Sequence, residues 1–264
     1  MKTKTTYKTP KLILVGAGPG DPELISLKGI NAIKNADVIL YDALVSKELL
    51  KYAPRQTKII YVGKRANNHT YKQDEINKLI VENALNSGTV IRLKGGDPYI
   101  FGRGFEEQEY AEALGVKVEL IPGISSALSI PALQGIPTTK RGLSNGFWTI
   151  TATLKNGKTN PDIELASLTN STLVVLMGTK KLPEIVKSYT KNGKSNTSIA
   201  IIQNGSLPNE KLVVGKINNI LDLAKTANIG APAIIIIGDV VKEHKSLNYE
   251  LLDKNILNSS TLLN

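Results

Sequence analysis

One loop of this chain carries more reactive side chains than a simple turn requires. The short apolar run 90–93 predicts a buried strand, and Lys94, two adjacent glycines and Asp97 follow it, with Arg103 a few residues later. Adjacent glycines leave no Cβ between the backbone and a ligand. Because ligands of open α/β sheets bind just past the carboxyl ends of strands, this loop predicts a polar ligand site.

A glycine-rich loop after the first predicted strand resembles a dinucleotide fingerprint but departs from it. Residues 11–15 are followed by Gly-Ala-Gly-Pro-Gly-Asp-Pro, in which Asp21 stands where the third glycine of G-x-G-x-x-G belongs. Pro19 also removes one of the backbone amides that a pyrophosphate would use. We interpret this segment as a ligand loop of another kind. A NAD-binding oxidoreductase remains a remote alternative.

Further predicted strands end in polar loops that a parallel sheet would bring to the same edge. They span residues 38–41, 58–62 and 116–121, and their loops carry Asp42, Lys64, Arg65, Ser125 and Ser126. Taken singly, such residues are often turn or helix caps, or part of a solvated loop. The expected alignment of Asp42, Lys64 and Asp97 along one rim favours a site.

The order of the predicted elements indicates an α/β protein of two domains. Strands and helices alternate through residues 11–137, which predicts an N-terminal domain with a mainly parallel five-stranded sheet. The polar, basic and glycine-bearing segment 137–146 is the predicted boundary. Residues 147–242 form the second α/β domain, with a mixed sheet. Its strands are predicted at 147–152, 172–176, 198–202, 212–214 and 233–237.

The composition excludes several classes of protein. With 264 residues, 41% hydrophobic and 21% charged, the chain is typical of globular proteins, and no apolar run approaches the roughly 18 residues of a membrane span. The chain has no cysteine, which excludes disulfides and a cysteine nucleophile and fits a reducing cytoplasm. With only two histidines, we predict no metal centre. The first ten residues lack the apolar core of a secretory signal.

The formal net charge of +10 suggests an anionic partner. The chain has no dense Lys/Arg block and no aromatic and basic ribonucleoprotein motif, so we do not predict a nucleic-acid partner. Many lysines are scattered over predicted helix faces, where solvation explains them. A basic cleft that concentrates a polyanionic small substrate is the sharper alternative. Net charge alone does not choose between these, and a nucleic-acid-binding protein remains a third possibility.

Two segments carry a specific resemblance. Arg-Leu-Lys-Gly-Gly-Asp-Pro at 92–98 and Ile-Phe-Gly-Arg-Gly at 100–104 resemble the tetrapyrrole methyltransferase family, in its uroporphyrinogen branch. Segments 15–22, 41–46 and 62–65 are similar to the same branch, and the match runs from about residue 11 to 241. The resemblance implies two α/β domains, S-adenosylmethionine in the active-site cleft between them, and a homodimer as the working unit.

The resemblance also implies roles for individual residues. Cofactor contacts fall on Pro19, Gly95, Gly96, Asp97, Ile100, Ser125, Ser126, Met177, Gly205 and Ala233. The family's proton acceptor falls on Asp42 and its proton donor on Lys64. The basic residues that would clamp the carboxylate arms of the substrate are Arg65, Arg103, Lys140 and Arg141.

Some positions depart from the family pattern, and they concern the substrate side more than the cofactor loops. The usual Thr-Gly-His is Thr-Ala-Thr at 151–153, and the usual Leu-Thr-His-Arg is Thr-Thr-Lys-Arg at 138–141. Thr-Ser-Ala becomes Ser-Ser-Ala at 125–127, which keeps the hydroxyl.

The implied reaction is the methylation of uroporphyrinogen III at carbon, twice, through precorrin-1 to precorrin-2 in siroheme or cobalamin-type biosynthesis, with S-adenosylhomocysteine released. A sulfonium methyl is already electrophilic, so catalysis rests on positioning and on charge management. The Asp42 carboxylate would stabilise the positive charge that develops on the pyrrole ring, or collect the released proton. Methylation of a later corrinoid intermediate is the nearest alternative.

Overall fold

The computed structural model describes residues 9–63 and 71–245, and the chain divides into two compact units, Met1–Ser125 and Ser126–Asn264. The boundary predicted from the sequence lies later, in residues 137–146. Helix α4 (Ser126–Leu133) accounts for the difference, because its Ala127 and Ile130 are buried in a cluster with strands of the second unit. The domain limits given above stay a prediction.

The first unit is built on a parallel five-stranded sheet, as predicted. Its strands are β1 (Lys11–Gly16), β2 (Val38–Tyr41), β3 (Lys58–Tyr61), β4 (Thr89–Lys94) and β5 (Lys117–Ile121). They lie in the order β3-β2-β4-β1-β5, and every neighbouring pair is parallel. Parallel strands need crossover connections, and the α-helices among these are α1 (Leu27–Lys34), α2 (Gln73–Ser87) and α3 (Gly104–Ala113).

Both faces of this sheet are buried, which explains why its strands consist of nearly continuous apolar runs. On one face, Leu12 and Leu14 pack in a cluster with Ile80 of α2. On the other face, Ile13 packs in a cluster with Ile33 of α1. A charged residue within these strands is therefore forced into the interior unless it lies at a strand end.

The second unit contains the mixed sheet that the sequence predicts. Its strands are β6 (Phe147–Thr151), β7 (Thr172–Leu176), β8 (Ser198–Gln203), β9 (Lys211–Lys216) and β10 (Ala233–Ile237). The order is β6-β7-β10-β8-β9, in which only β6 and β7 are parallel. Three more helices are α5 (Asp162–Ser167), α6 (Leu182–Lys191) and α7 (Ile220–Thr226).

Helix α6 shows how the helices of this unit are fixed. Leu182, Ile185 and Tyr189 recur at helical spacing and are all buried, while the opposite face carries charge. Burial raises the pKa of the Tyr189 phenol well above its ordinary value. Within residues 9–63 and 71–245, no helix is long and apolar enough to cross a bilayer.

Candidate active site

Backbone hydrogen bonds join the strand-end loops of the first unit. The N–H of Gly96 donates to the Gly18 carbonyl at 2.6 Å, and the N–H of Gly18 donates back to Gly96 at 3.3 Å. Asp97 extends the connection, because its Oδ2 accepts from the N–H of Gly123 at 3.0 Å and its Oδ1 from the N–H of Tyr99 at 2.8 Å. The loops after β1, β4 and β5 therefore form one edge. The predicted cofactor residues that it brings together are Pro19, Gly95, Gly96, Asp97, Ile100 and Ser125.

Three glycines allow these loops to pack backbone against backbone. A Cβ added to Gly123 would lie 2.2 Å from the carbonyl oxygen of Gly96 and 2.6 Å from the Cα of Gly16. A Cβ added to Gly16 would lie 2.4 Å from the Cα of Gly123. No side chain fits at either position without moving a main chain.

We expect Gly123→Ala to lower the free energy of unfolding by about 1–3 kcal/mol, the usual loss when atoms are forced into a packed region. Gly146→Ala is the matched control, because its added Cβ would have Ser171 Oγ, at 3.7 Å, as its nearest neighbour. Urea titrations of both variants would measure the difference. Equal stability of the two variants would contradict the close approach of the loops.

The remaining cofactor candidates lie in the second unit, and most of them share one edge of its sheet. Strand β10 runs antiparallel to β7 and β8, so its first residue, Ala233, pairs with Gln203 at the end of β8. Met177 follows the end of β7, and Gly205 follows the end of β8. The N–H of Asn204 donates to the carbonyl of Pro232 at 3.0 Å, which joins two of these segments. Ser126 is the first residue of α4.

Left-handed backbone conformations concentrate in the loops that carry the candidates. Among the described residues, the non-glycine positions with positive φ in these loops are Phe101, Arg103, Met177, Asn204 and Ser206, at 53° to 67°. Asn228, at 50°, lies elsewhere. Such conformations typically cost about 1–3 kcal/mol each and are kept where a function requires them. Their distribution supports a functional assignment for both groups of loops.

Two basic side chains lie close to the Asp42 carboxylate at the end of β2. Its Oδ1 accepts from Nη2 of Arg92 at 2.7 Å, and Nζ of Lys94 lies 3.7 Å from its Oδ2. From the sequence, Arg92 is part of an apolar strand, and Lys94 is one of the polar residues of the loop with no separate role. Their pairing with Asp42 follows from the strand register in the structure. Leu40 pairs with Arg92, and side chains alternate along strands, so Asp42 lies level with Lys94 on the same face.

The predicted substrate-binding residues differ in their surroundings. Lys64 and Arg65 lie outside the described residues. The exposed Arg103 donates to Glu106 at 2.9 and 2.5 Å, and these hydrogen bonds raise its pKa above the ordinary value. Lys140, in the second unit, is paired with Glu243 at 2.5 Å, and the neighbouring Arg141 is exposed.

A comparison with known protein families identifies the family of this chain. The family described as Tetrapyrrole (Corrin/Porphyrin) Methylases matches residues 11–221. This chain belongs to the tetrapyrrole methylases. The resemblance that rested on a few motifs is confirmed, and the chain is a methyltransferase.

Individual relatives give more detail. A uroporphyrinogen-III C-methyltransferase of Methanocaldococcus jannaschii is 46% identical over 235 residues, which is 88% of this chain and 97% of that protein. A siroheme synthase of Actinobacillus pleuropneumoniae serotype 7 is also 46% identical, but the match spans 48% of that longer protein. The crystal structure of a Thermus thermophilus uroporphyrin-III C-methyltransferase complexed with S-adenyl homocysteine has a TM-score of 0.75 and 37% identity, covering 88% of this chain and 93% of that one.

Proposed function

We propose that this methyltransferase transfers two methyl groups from S-adenosylmethionine to carbon atoms of uroporphyrinogen III, through precorrin-1 to precorrin-2, and releases S-adenosylhomocysteine. The likeness to a uroporphyrinogen-III C-methyltransferase over nearly the full length of both chains carries the proposal. The geometry agrees with it, because a carboxylate and open glycine loops lie at the same edge of the parallel sheet.

The cofactor is bound by the loops described above. Glycine backbones and proline suit a close approach, and the serine hydroxyls suit the polar groups of a nucleoside. Ile100 in the first unit and Met177 in the second have exposed fractions of 45% and 58%, so each side chain is accessible to a ligand. The residues we assign to this role are Pro19, Gly95, Gly96, Asp97, Ile100, Ser125, Ser126, Met177, Gly205 and Ala233.

Asp42 has the accessibility that its role requires. Its side chain is 28% exposed although one of its oxygens accepts a hydrogen bond from Arg92. No described residue donates a hydrogen bond to Oδ2, and Lys94 Nζ lies 3.7 Å from it, so Oδ2 can accept from the pyrrole N–H groups or collect the ring proton. The basic residues Arg65, Arg103, Lys140 and Arg141, with Lys64 as proton donor, complete the proposed substrate contacts.

Met177→Gly should separate stability from cofactor binding. Glycine removes the strain of the positive φ of 54°, but it also raises the conformational entropy of the unfolded chain. Because these effects oppose each other, we expect the free energy of unfolding to change by less than about 1 kcal/mol. Loss of the exposed thioether side chain should weaken S-adenosylhomocysteine binding about tenfold, since roughly 1.4 kcal/mol corresponds to that factor. Urea titration and calorimetry would measure the two quantities. An unchanged affinity would remove Met177 from the cofactor site.

We further propose that the enzyme acts as a homodimer in the cytoplasm. The dimer is what the family resemblance implies, and the absence of cysteine fits a reducing compartment. Sedimentation of the purified chain tests the first statement, and fractionation of cells tests the second. A monomer at enzymatic concentrations would contradict the dimer.

Two titrations and a substrate panel test the proposed function against its alternatives. S-adenosylhomocysteine should bind, and NADH should not. Under anaerobic conditions, methyl transfer should be fastest with uroporphyrinogen III, and slower or absent with later corrinoid intermediates. Preference for a corrinoid would move the enzyme to a later reaction, and binding of NADH alone would overturn the methyl-donor assignment.

A further inference from the structure

Behind Asp42 lies an array of buried charges to which the reaction described so far gives no role. Arg92, Lys94 and Glu107 have exposed fractions of 1%, 4% and 0%. Oε1 of Glu107 accepts from Arg92 Nε, Lys94 Nζ and Gln73 Nε2, each at 3.1 Å. Oε2 of the same carboxylate is buried and accepts no hydrogen bond from the described residues.

The guanidinium of Arg92 links the two carboxylates of the array. Nε donates to Glu107, and Nη2 donates to Asp42 at 2.7 Å. Nη1 lies 3.2 Å from the carbonyl of Leu93 and 3.5 Å from that of Leu40. Because a guanidinium is planar and each of its nitrogens has a partner, Arg92 is held in one orientation. Arg92 therefore connects Glu107 to Asp42 through one rigid group.

Stability alone does not explain why charged residues occupy this part of the core. The same face of the sheet buries Leu12, Leu14, Leu40 and Val90, and apolar residues of similar volume commonly replace buried ion pairs without loss of stability. Burial also lowers the pKa of the Lys94 ammonium, helped by the charge of Arg92 and opposed by Glu107 and Asp42. Two cations and two carboxylates are nevertheless kept together.

The array has one accessible end. The side chain of Asp42 is 28% exposed, whereas the other three side chains of the array are buried. We propose that Arg92, Lys94 and Glu107 are positioning residues that fix the orientation of the Asp42 carboxylate, with Oδ2 turned toward the substrate. The proposal rests on the function proposed above and extends it to residues that do not touch the substrate.

Loss of either Glu107 or Lys94 should turn the Asp42 carboxylate away from its productive orientation. The groups of the array are Arg92 and Lys94 on β4 and Glu107 on α3, with neutral Gln73 on α2. Without the Glu107 carboxylate, Arg92 loses its ionic partner at Nε, and without Lys94, Asp42 loses the cation 3.7 Å from Oδ2. A purely structural array would change stability but would leave kcat unchanged in a variant that folds.

The test compares Glu107→Gln and Lys94→Gln, with Glu109→Gln on the exposed face of α3 as control. Both array variants should lower kcat about tenfold, since a positioned acid or base contributes at least that much, while the affinity for S-adenosylhomocysteine stays unchanged. The loss should fall on kcat, with KM for S-adenosylmethionine unchanged. The control should match the wild type.

The outcomes are distinct. An inactive wild type would refute the proposed function itself. An active wild type, together with wild-type kcat in both folded variants, would overturn the positioning role. Failure of both variants to fold, seen as loss of S-adenosylhomocysteine binding, would assign the array to stability and also overturn it. If only one variant folds, its kcat decides.

Discussion

Asp42→Asn is expected to lower turnover by about 10²-fold or more, because a positioned acid or base commonly contributes 10²–10⁴ to a rate. Asparagine keeps the shape of the side chain but cannot collect the ring proton or stabilise a cationic pyrrole as a carboxylate does. Loss of the Asp42 carboxylate should leave the structure of the glycine loops unchanged, so S-adenosylhomocysteine should bind as it does to the wild type. Steady-state kinetics and calorimetry would give the two numbers.

Asp239→Asn is the control for this substitution. Asp239 is exposed and pairs with Lys242 at 2.7 Å on the surface of the second unit, so its variant should keep wild-type turnover. If Asp42→Asn also turned over normally, Asp42 would lose its catalytic role. Loss of S-adenosylhomocysteine binding together with turnover would indicate that Asp42 serves the fold.

Arg92→Met should have the largest effect on stability. It leaves two carboxylates, Glu107 and Asp42, with one buried cation, Lys94, and removal of one partner of a buried ion pair typically costs about 3–5 kcal/mol. The carboxylates of Glu107 and Asp42 raise the pKa of Arg92 even though burial acts against its charge, so the arginine is ionised throughout the usual pH range. Urea titration followed by far-UV circular dichroism would measure the loss.

Arg103→Met provides the matched comparison. Arg103 also pairs with a glutamate, Glu106, but both side chains are about half exposed, at 51% and 52%. Exposed pairs are usually worth about 0–1 kcal/mol, so this variant should lose far less stability than Arg92→Met. Similar losses in the two variants would contradict the distinction between the buried array and the surface pair.

The sheets could be predicted because their signal is local. Apolar runs of four to six residues, punctuated by glycine and proline, predict strands, and alternation with helices predicts the parallel sheet of the first unit. Loops at strand ends then follow from the topology. The sequence alone therefore predicts that Asp42 and the loop at residues 95–97 lie at one rim of the sheet.

The buried array could not be predicted in the same way. Arg92 lies within an apolar run, where a single charge does not change the expectation of a strand, and Glu107 lies among other glutamates of an exposed-looking helix. Their pairing depends on the register between β2 and β4 and on the packing of α3, both set by contacts between distant segments. The left-handed conformation of Met177 could not be predicted either, because that backbone region is occupied mainly by glycine and asparagine.

An anaerobic incubation of the purified chain with uroporphyrinogen III and methyl-labelled S-adenosylmethionine tests the proposed reaction itself. We expect a precorrin-2 product with two labelled methyl groups on ring carbons, and two molecules of S-adenosylhomocysteine for each macrocycle. Unlabelled uroporphyrinogen, recovered from protein that binds S-adenosylhomocysteine normally, would contradict it.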